Sequence, residues 1–212
     1  DRIEKSIHSS KSTQNGNSSP AWVAEGAKDE EAHDPLVQAK KVLQAREQEL
    51  GVYHLQTYQA SYLYASQLHK RGYLDEAERL YRSALKAYRE HLGRRHPQTL
   101  QIIDGLADLL KEKKQIPAAL PLRREMLEGC REKLGSMHPT TLASAHDLGE
   151  LLFQLGRMGQ SEILYREALD GRRQALGLNH YDTLQSLNAV ARLCRSASRM
   201  DEAEEFFKEA HR

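Results

Sequence analysis

The chain has 212 residues, a formal net charge of +1, 29% charged residues and two cysteines. So even a balance leaves no bulk field for nucleic acid or an anionic membrane surface, and no apolar run reaches the roughly 18 residues of a membrane span. Cys130 and Cys194 stand 64 residues apart without CxxC or Cys/His spacing. That spacing supports neither a disulfide framework nor a zinc site and points to reduced thiols in a reducing intracellular compartment.

Residues 1–33 lack hydrophobic periodicity, and Ser9 to Pro20 is rich in Ser, Asn and Gly. Such a segment buries too little apolar surface to offset its ordering entropy, so a disordered tail is expected in isolation. Its natural anchor is Trp22, the only tryptophan, docking on the chain's own first helix or on a partner. The chain starts at Asp1 rather than Met, so either a removed leader or a piece of a longer protein is expected.

Asp34-Pro35 reads as an N-cap followed by proline at the first helical position. Leu36, Ala39, Val42, Leu43 and Leu50 follow at helical spacing, which makes residues 34–50 a lone half-repeat capping what comes next. From there the chain repeats. Leu92-Gly93-Arg94-Arg95-His96-Pro97-Gln98-Thr99-Leu100 returns from Leu134 to Leu142, again from Leu176 to Leu184, and in worn form from Leu50 to Tyr58. His54, His96, His138 and His180 are each 42 residues apart. A fixed period of that size marks a repeat array, here four units over 51–212, and makes the histidines parts of the structural unit rather than catalytic groups.

In unit one the pattern predicts a helix over 57–70, a turn at Gly72 and a second helix over 75–91. Unit two departs most. Pro117 and Pro121 fall in its second helix, Lys114 stands where Gly72 and Gly156 mark the turn, and Arg123 replaces an aromatic, so a distorted, weaker unit is expected. Unit four stops at Arg212 before its helix should finish, which predicts that the chain continues or that a partner covers that end.

Small residues recur inside each unit. Eleven positions after each histidine stand Ala65, Ala107, Gly149 and Ala191, and twenty-three after it Ala77, Ala119, Ser161 and Ala203. Tyr81, Arg123, Tyr165 and Phe207 follow at twenty-seven, and Ala84, Met126, Ala168 and Ala210 at thirty. Facing small residues let two antiparallel helices approach closely. This spacing resembles the tetratricopeptide repeat. With the LGxxHPxTL stretch and Met200 to Phe207, the chain over residues 50–212 resembles the 42-residue variant of kinesin light chains.

The resemblance implies an all-α, right-handed superhelical α-solenoid of antiparallel helix pairs, with the first helix of each unit lining a concave groove. Carried over by offset, the binding residues are Gln59, Tyr62, Ser66 and Lys70 in unit one and Gln101, Asp104, Asp108 and Lys111 in unit two. Unit three supplies His146, Glu150 and Gln154, and unit four Gln185, Asn188, Arg192 and Arg195. Acid lies in the middle and base at both ends, a pattern suited to setting register and partner choice. Of the asparagine pair with which kinesin light chains grip a peptide backbone, only Asn188 is matched, so cargo recognition in that manner is not expected.

Asp104, Asp108, His146 and Glu150 pose one sharper alternative, a divalent-metal site, against which stands the ordinary solvated charged face. Cys194 aligns with core leucines, whereas Cys130 is expected at a more exposed and potentially reactive place. No phosphate loop, nucleophile elbow or HExxH is present. Neither enzyme activity, cofactor nor metal is therefore expected. The role that fits is a protein-binding adaptor or scaffold with protein or peptide partners, no nucleic acid and no membrane span. The alternative is a structural subunit of a large assembly, held through the tail and the open C-terminal end.

Overall fold

A computed structural model of the chain describes residues 34–210. Among them, every regular element is a helix. These are α1 (Pro35–Leu50), α2 (Leu55–Lys70), α3 (Leu74–His91), α4 (Pro97–Glu112), α5 (Ile116–Leu134), α6 (Pro139–Gln154), α7 (Met158–Leu176), α8 (Tyr181–Ser196) and α9 (Met200–Ala210). Each helix packs on the next, so four antiparallel pairs follow a lone first helix in an α-solenoid. The 1–33 tail and Trp22 lie outside the described residues.

The recurring loop shows why the sequence repeats as it does. Gly51, Gly93, Gly135 and Gly177 end their helices at φ of 82°, 89°, 86° and 84°, a region open to glycine and costly for a residue with a Cβ. Three residues on, each histidine is an N-cap. Nδ1 of His54, His96, His138 and His180 accepts the N–H of the residue two further along at 3.2, 3.3, 3.2 and 3.2 Å. The cap satisfies one of the N–H groups that a helix start leaves orphaned. A buried threonine closes the loop: the hydroxyls of Thr57, Thr99 and Thr141 donate to the carbonyls of Gly51, Gly93 and Gly135 at 2.7, 2.8 and 2.7 Å. Asp34 caps α1 through the Leu36 N–H at 2.9 Å, as Asp-Pro implied.

Inside the pairs the small residues meet. Ala65, Ala77, Ala107, Ala119, Ala191 and Ser161 are fully buried, with Tyr81 and Tyr165 filling the space beside them at 2% and 0% exposure. Gly149 is forced by that packing, because a Cβ there would lie 2.9 Å from the Tyr165 ring.

In unit two α5 runs its full 19 residues through Pro121, and Lys114 takes the left-handed turn at φ 59° that Gly72 and Gly156 take elsewhere. Pro121 is exposed, so the carbonyl deprived of its helical partner opens toward water. One expectation needs correcting: Cys130 is not an exposed thiol. It is 2% exposed, and its neighbours in the repeat alignment are buried too, Tyr88 at 3% and Arg172 at 5%, because this position faces the following unit. Burial raises its pKa, which makes it a quiet core residue like Cys194.

Candidate functional site

The two rows of helices are not equivalent. Among the first helices the backbone of α2 comes close to that of α4 and that of α6 to that of α8, whereas the second helices α3, α5, α7 and α9 meet one another only through side chains. In a curved stack the inner row is the closely spaced one, so the first helices line the inner face. All fifteen residues expected on that face lie on α2, α4, α6 and α8, and none is buried. Gln59, Lys70, Gln101, Asp108, Gln154, Gln185, Asn188, Arg192 and Arg195 are exposed, while Tyr62, Ser66, Asp104, Lys111, His146 and Glu150 are half-buried.

What underlies this face was not legible in advance. Arg123, on α5, is 2% exposed, and its guanidinium emerges beneath α4 to bind both Asp104 and Asp108, with Asp147 of α6 at 3.5 Å. Burial opposes its charge, but Asp147, Asp108 and Asp104 together outweigh that and hold its pKa above the ordinary arginine value. The acid of the central floor is thus partly neutralised from below, three carboxylates against one buried cation. The repeat position that elsewhere supplies the ring of Tyr81 or Tyr165 supplies a charge here. The signal was present: an arginine at a core aromatic position, in a unit with two aspartates four residues apart.

In the next unit Tyr165 takes the same path. Its hydroxyl donates to Glu150 at 2.6 Å, and Arg192 reaches the same carboxylate at 2.7 Å from α8, its guanidinium 5.5 Å from the Phe153 ring centroid. Burial would raise the Glu150 pKa; hydrogen bonds from Tyr165 and Gln154 with the Arg192 charge overcome it and hold the carboxyl below its usual range. His146 lies with its ring centroid 5.2 Å from that of Tyr165, and its buried Nδ1 has no partner among the described residues. Burial depresses its pKa, Arg172 adds to the effect, and Asp147 and Glu150 oppose it. In unit one His69 Nε2 sits 2.9 Å from Glu112.

Two hollows open on this face. One, of about 580 Å³, is lined by Asp108, Lys111, Glu112, Lys114, Ile116 and Gln154. A smaller one, of about 190 Å³, lies against Gln59, Tyr62 and Gln101. Lys70, Gln185, Asn188 and Arg195 are not drawn into any of these clusters. Asp104 and Asp108 pair with Arg123 and Glu150 with Arg192, and among the described residues no three His, Cys, Asp or Glu side chains are grouped to hold an ion.

Comparison with known proteins agrees with this architecture. A family model described as tetratricopeptide repeat matches residues 56–132, 102–174 and 140–212. No curated protein sequence gives a match. A Podosopora anserina protein assigned as a kinesin light chain, with nearly identical TPR-like repeats, superposes with a TM-score of 0.76 at 19% identity over 90% of each chain. BtubC (BKLC) from P. vanneervenii does so at 0.69 and 18% over 90% of this chain and 86% of that one. MamA from Desulfovibrio magneticus RS-1 follows at 0.58 and 12% over 84% and 94%. At these identities the likenesses speak for the fold alone. Among the described residues no helix is long and apolar enough to cross a membrane.

Proposed function

The chain belongs to the tetratricopeptide repeat family, and from that premise we propose that it is a non-catalytic adaptor that holds a segment of a partner protein along its inner face. The observation that carries this reading is the Arg123 cluster. Three carboxylates from two different units, Asp104, Asp108 and Asp147, are drawn to one buried guanidinium and remain about half exposed on their outer side. Held that way they form a fixed acidic centre with residual negative charge, flanked along the face by Lys70 on one side and Arg192 and Arg195 on the other. A partner segment with basic residues at its middle and acidic ones toward its ends would be read in one register, since complementary charge sets orientation more than raw affinity.

The same cluster dictates how the reading is tested. Reversing Asp104 and Asp108 alone would strand Arg123, so the informative variant is D104N/D108N/R123Y, which restores at 123 the ring found in units one and three. Peptides selected on the wild-type protein should carry central Lys or Arg, and the triple variant should bind them at least about tenfold more weakly while its helical circular dichroism is unchanged. Unchanged affinity in a folded triple variant would sink the reading.

A further inference from the structure

The outer row of helices carries a feature that the inner face does not use. Because the second helices meet only through side chains, a seam lies between each and the next, and the first of these seams opens as a cleft. This cleft, between α3 and α5, encloses about 550 Å³ over a floor formed by the α4 leucines Leu106 and Leu110. One wall is low because Ala118 and Pro121 line it. At the equivalent repeat positions the next seam has Gln160 and Ile163, and the one after that Glu202 and Glu205.

Charge singles out the same cleft. Arg82, Lys86, Arg89 and Arg94 line it against one carboxylate, Glu90. The matching positions of the second seam hold Arg124 and Arg131 against Glu128 and Glu132. Those of the third hold Arg166 and Arg173 against Asp170, Glu202 and Glu205. Lys86 thus becomes Glu128 and then Asp170, while Arg94 becomes Ser136 and then Leu178. An Arg–Glu pair bridges every seam, namely Arg89–Glu125 at 2.6 Å, Arg131–Glu167 at 2.5 Å and Arg173–Glu209 at 2.7 Å. These cancel in the comparison. Arg82 is held by Glu78 at 2.5 Å, which leaves Lys86 and Arg94 as the cations of this cleft without an ionic partner among the described residues.

We propose that the α3–α5 cleft is a second docking site, for an acidic protein segment that seats an apolar side chain against Ala118, Pro121 and Leu122 and carboxylates against Lys86 and Arg94. A single basic cleft bordered by neutral and acidic seams favours a short acidic segment over nucleic acid, which needs cations spaced along a backbone. The site is independent of the inner face and of opposite charge preference.

The test uses the full chain and fluorescence polarisation of a labelled short peptide in which two leucines are flanked by Glu and Asp. The same peptide with Lys in place of its acids, and a single-stranded oligonucleotide, serve as comparisons. The acidic peptide should bind, the basic one should not, and K86E/R94E should weaken binding at least about tenfold. P121I places in the wall the residue of the neighbouring unit and should do the same by filling the cleft. Should P121I not fold, K86E/R94E decides alone. D104N/D108N/R123Y should leave this affinity unchanged. Binding indifferent to K86E/R94E, no binding of the acidic peptide, or equally tight binding of the oligonucleotide would overturn the proposal.

Discussion

Arg123 and the carboxylates around it are unequally exposed, and that inequality has an energetic sign. The guanidinium side chain is 3% exposed, while Asp104, Asp108 and Asp147 are 44%, 52% and 41% exposed. Removing the base leaves acids that water can solvate; removing two acids leaves a buried cation with Asp147 alone at 3.5 Å. R123M should therefore cost about 1–2 kcal/mol in urea unfolding and D104A/D108A about 3 kcal/mol. The reverse order would contradict the cluster as described. His146 supplies a pH dependence. Its folded-state pKa is depressed, chiefly by burial, so the native ring resists the proton that the unfolded chain accepts near 6.5. Stability is thus unaffected above that pH and falls as pH drops below it. H146F should flatten the fall in unfolding free energy that sets in below pH 6.5. Glu150, also depressed, acts in a separate window below its ordinary 4.5, so an unflattened profile would point away from His146.

At the scale of the element, the Gly–His–Thr loop shows how far repetition extends. Three of the four threonine hydroxyls donate to the glycine six residues before them, and the fourth, Thr183, is buried with no partner among the described residues. The same substitution should then have two outcomes. T99V deprives the Gly93 carbonyl of its donor and should cost about 1 kcal/mol, whereas T183V removes an unsatisfied hydroxyl and should be neutral or slightly stabilising. Thermal unfolding of the two variants side by side checks this, and equal losses would refute it. Helix positions were legible because periodicity, caps and turn residues agree: the helix expected over 57–70 is Leu55–Lys70, and that over 75–91 is Leu74–His91. Unit two keeps the same helices although its turn and helix residues differ. Proline at 121 costs little on the open outer side, and the left-handed turn needs a φ that Lys114 can adopt at some strain. Arg123 was seen as a lost aromatic, since nothing in one-dimensional spacing shows that the core position opens onto the neighbouring floor.

Over the whole molecule the core is a chain of small cores. One apolar cluster runs from Leu43 to Ala168, and a second gathers Tyr165, Leu169, Leu187, Val190, Leu193 and Ala203; they divide along α7. Contacts reach only neighbouring helices and the next unit, so stability is a sum over joints rather than a property of one interior. Leu187 is fully buried in the second cluster. L187A should cost about 2–5 kcal/mol and speed amide exchange in α8 and α9 while α2 to α5 keep their protection. Uniform loss of protection would show one cooperative unit instead. The clasps Arg89–Glu125, Arg131–Glu167 and Arg173–Glu209 join corresponding positions at three successive joints. A second copy of residues 139–180 spliced in tandem would find its Glu167 facing the Arg173 of the copy before it, and its own Arg173 facing Glu209. Length in such a molecule is therefore an inheritable variable along its outer row: tandem duplication of this 42-residue stretch would keep an Arg–Glu clasp at every outer joint, while on the inner face it would set Glu150 against a second Glu150 where Arg192 now stands.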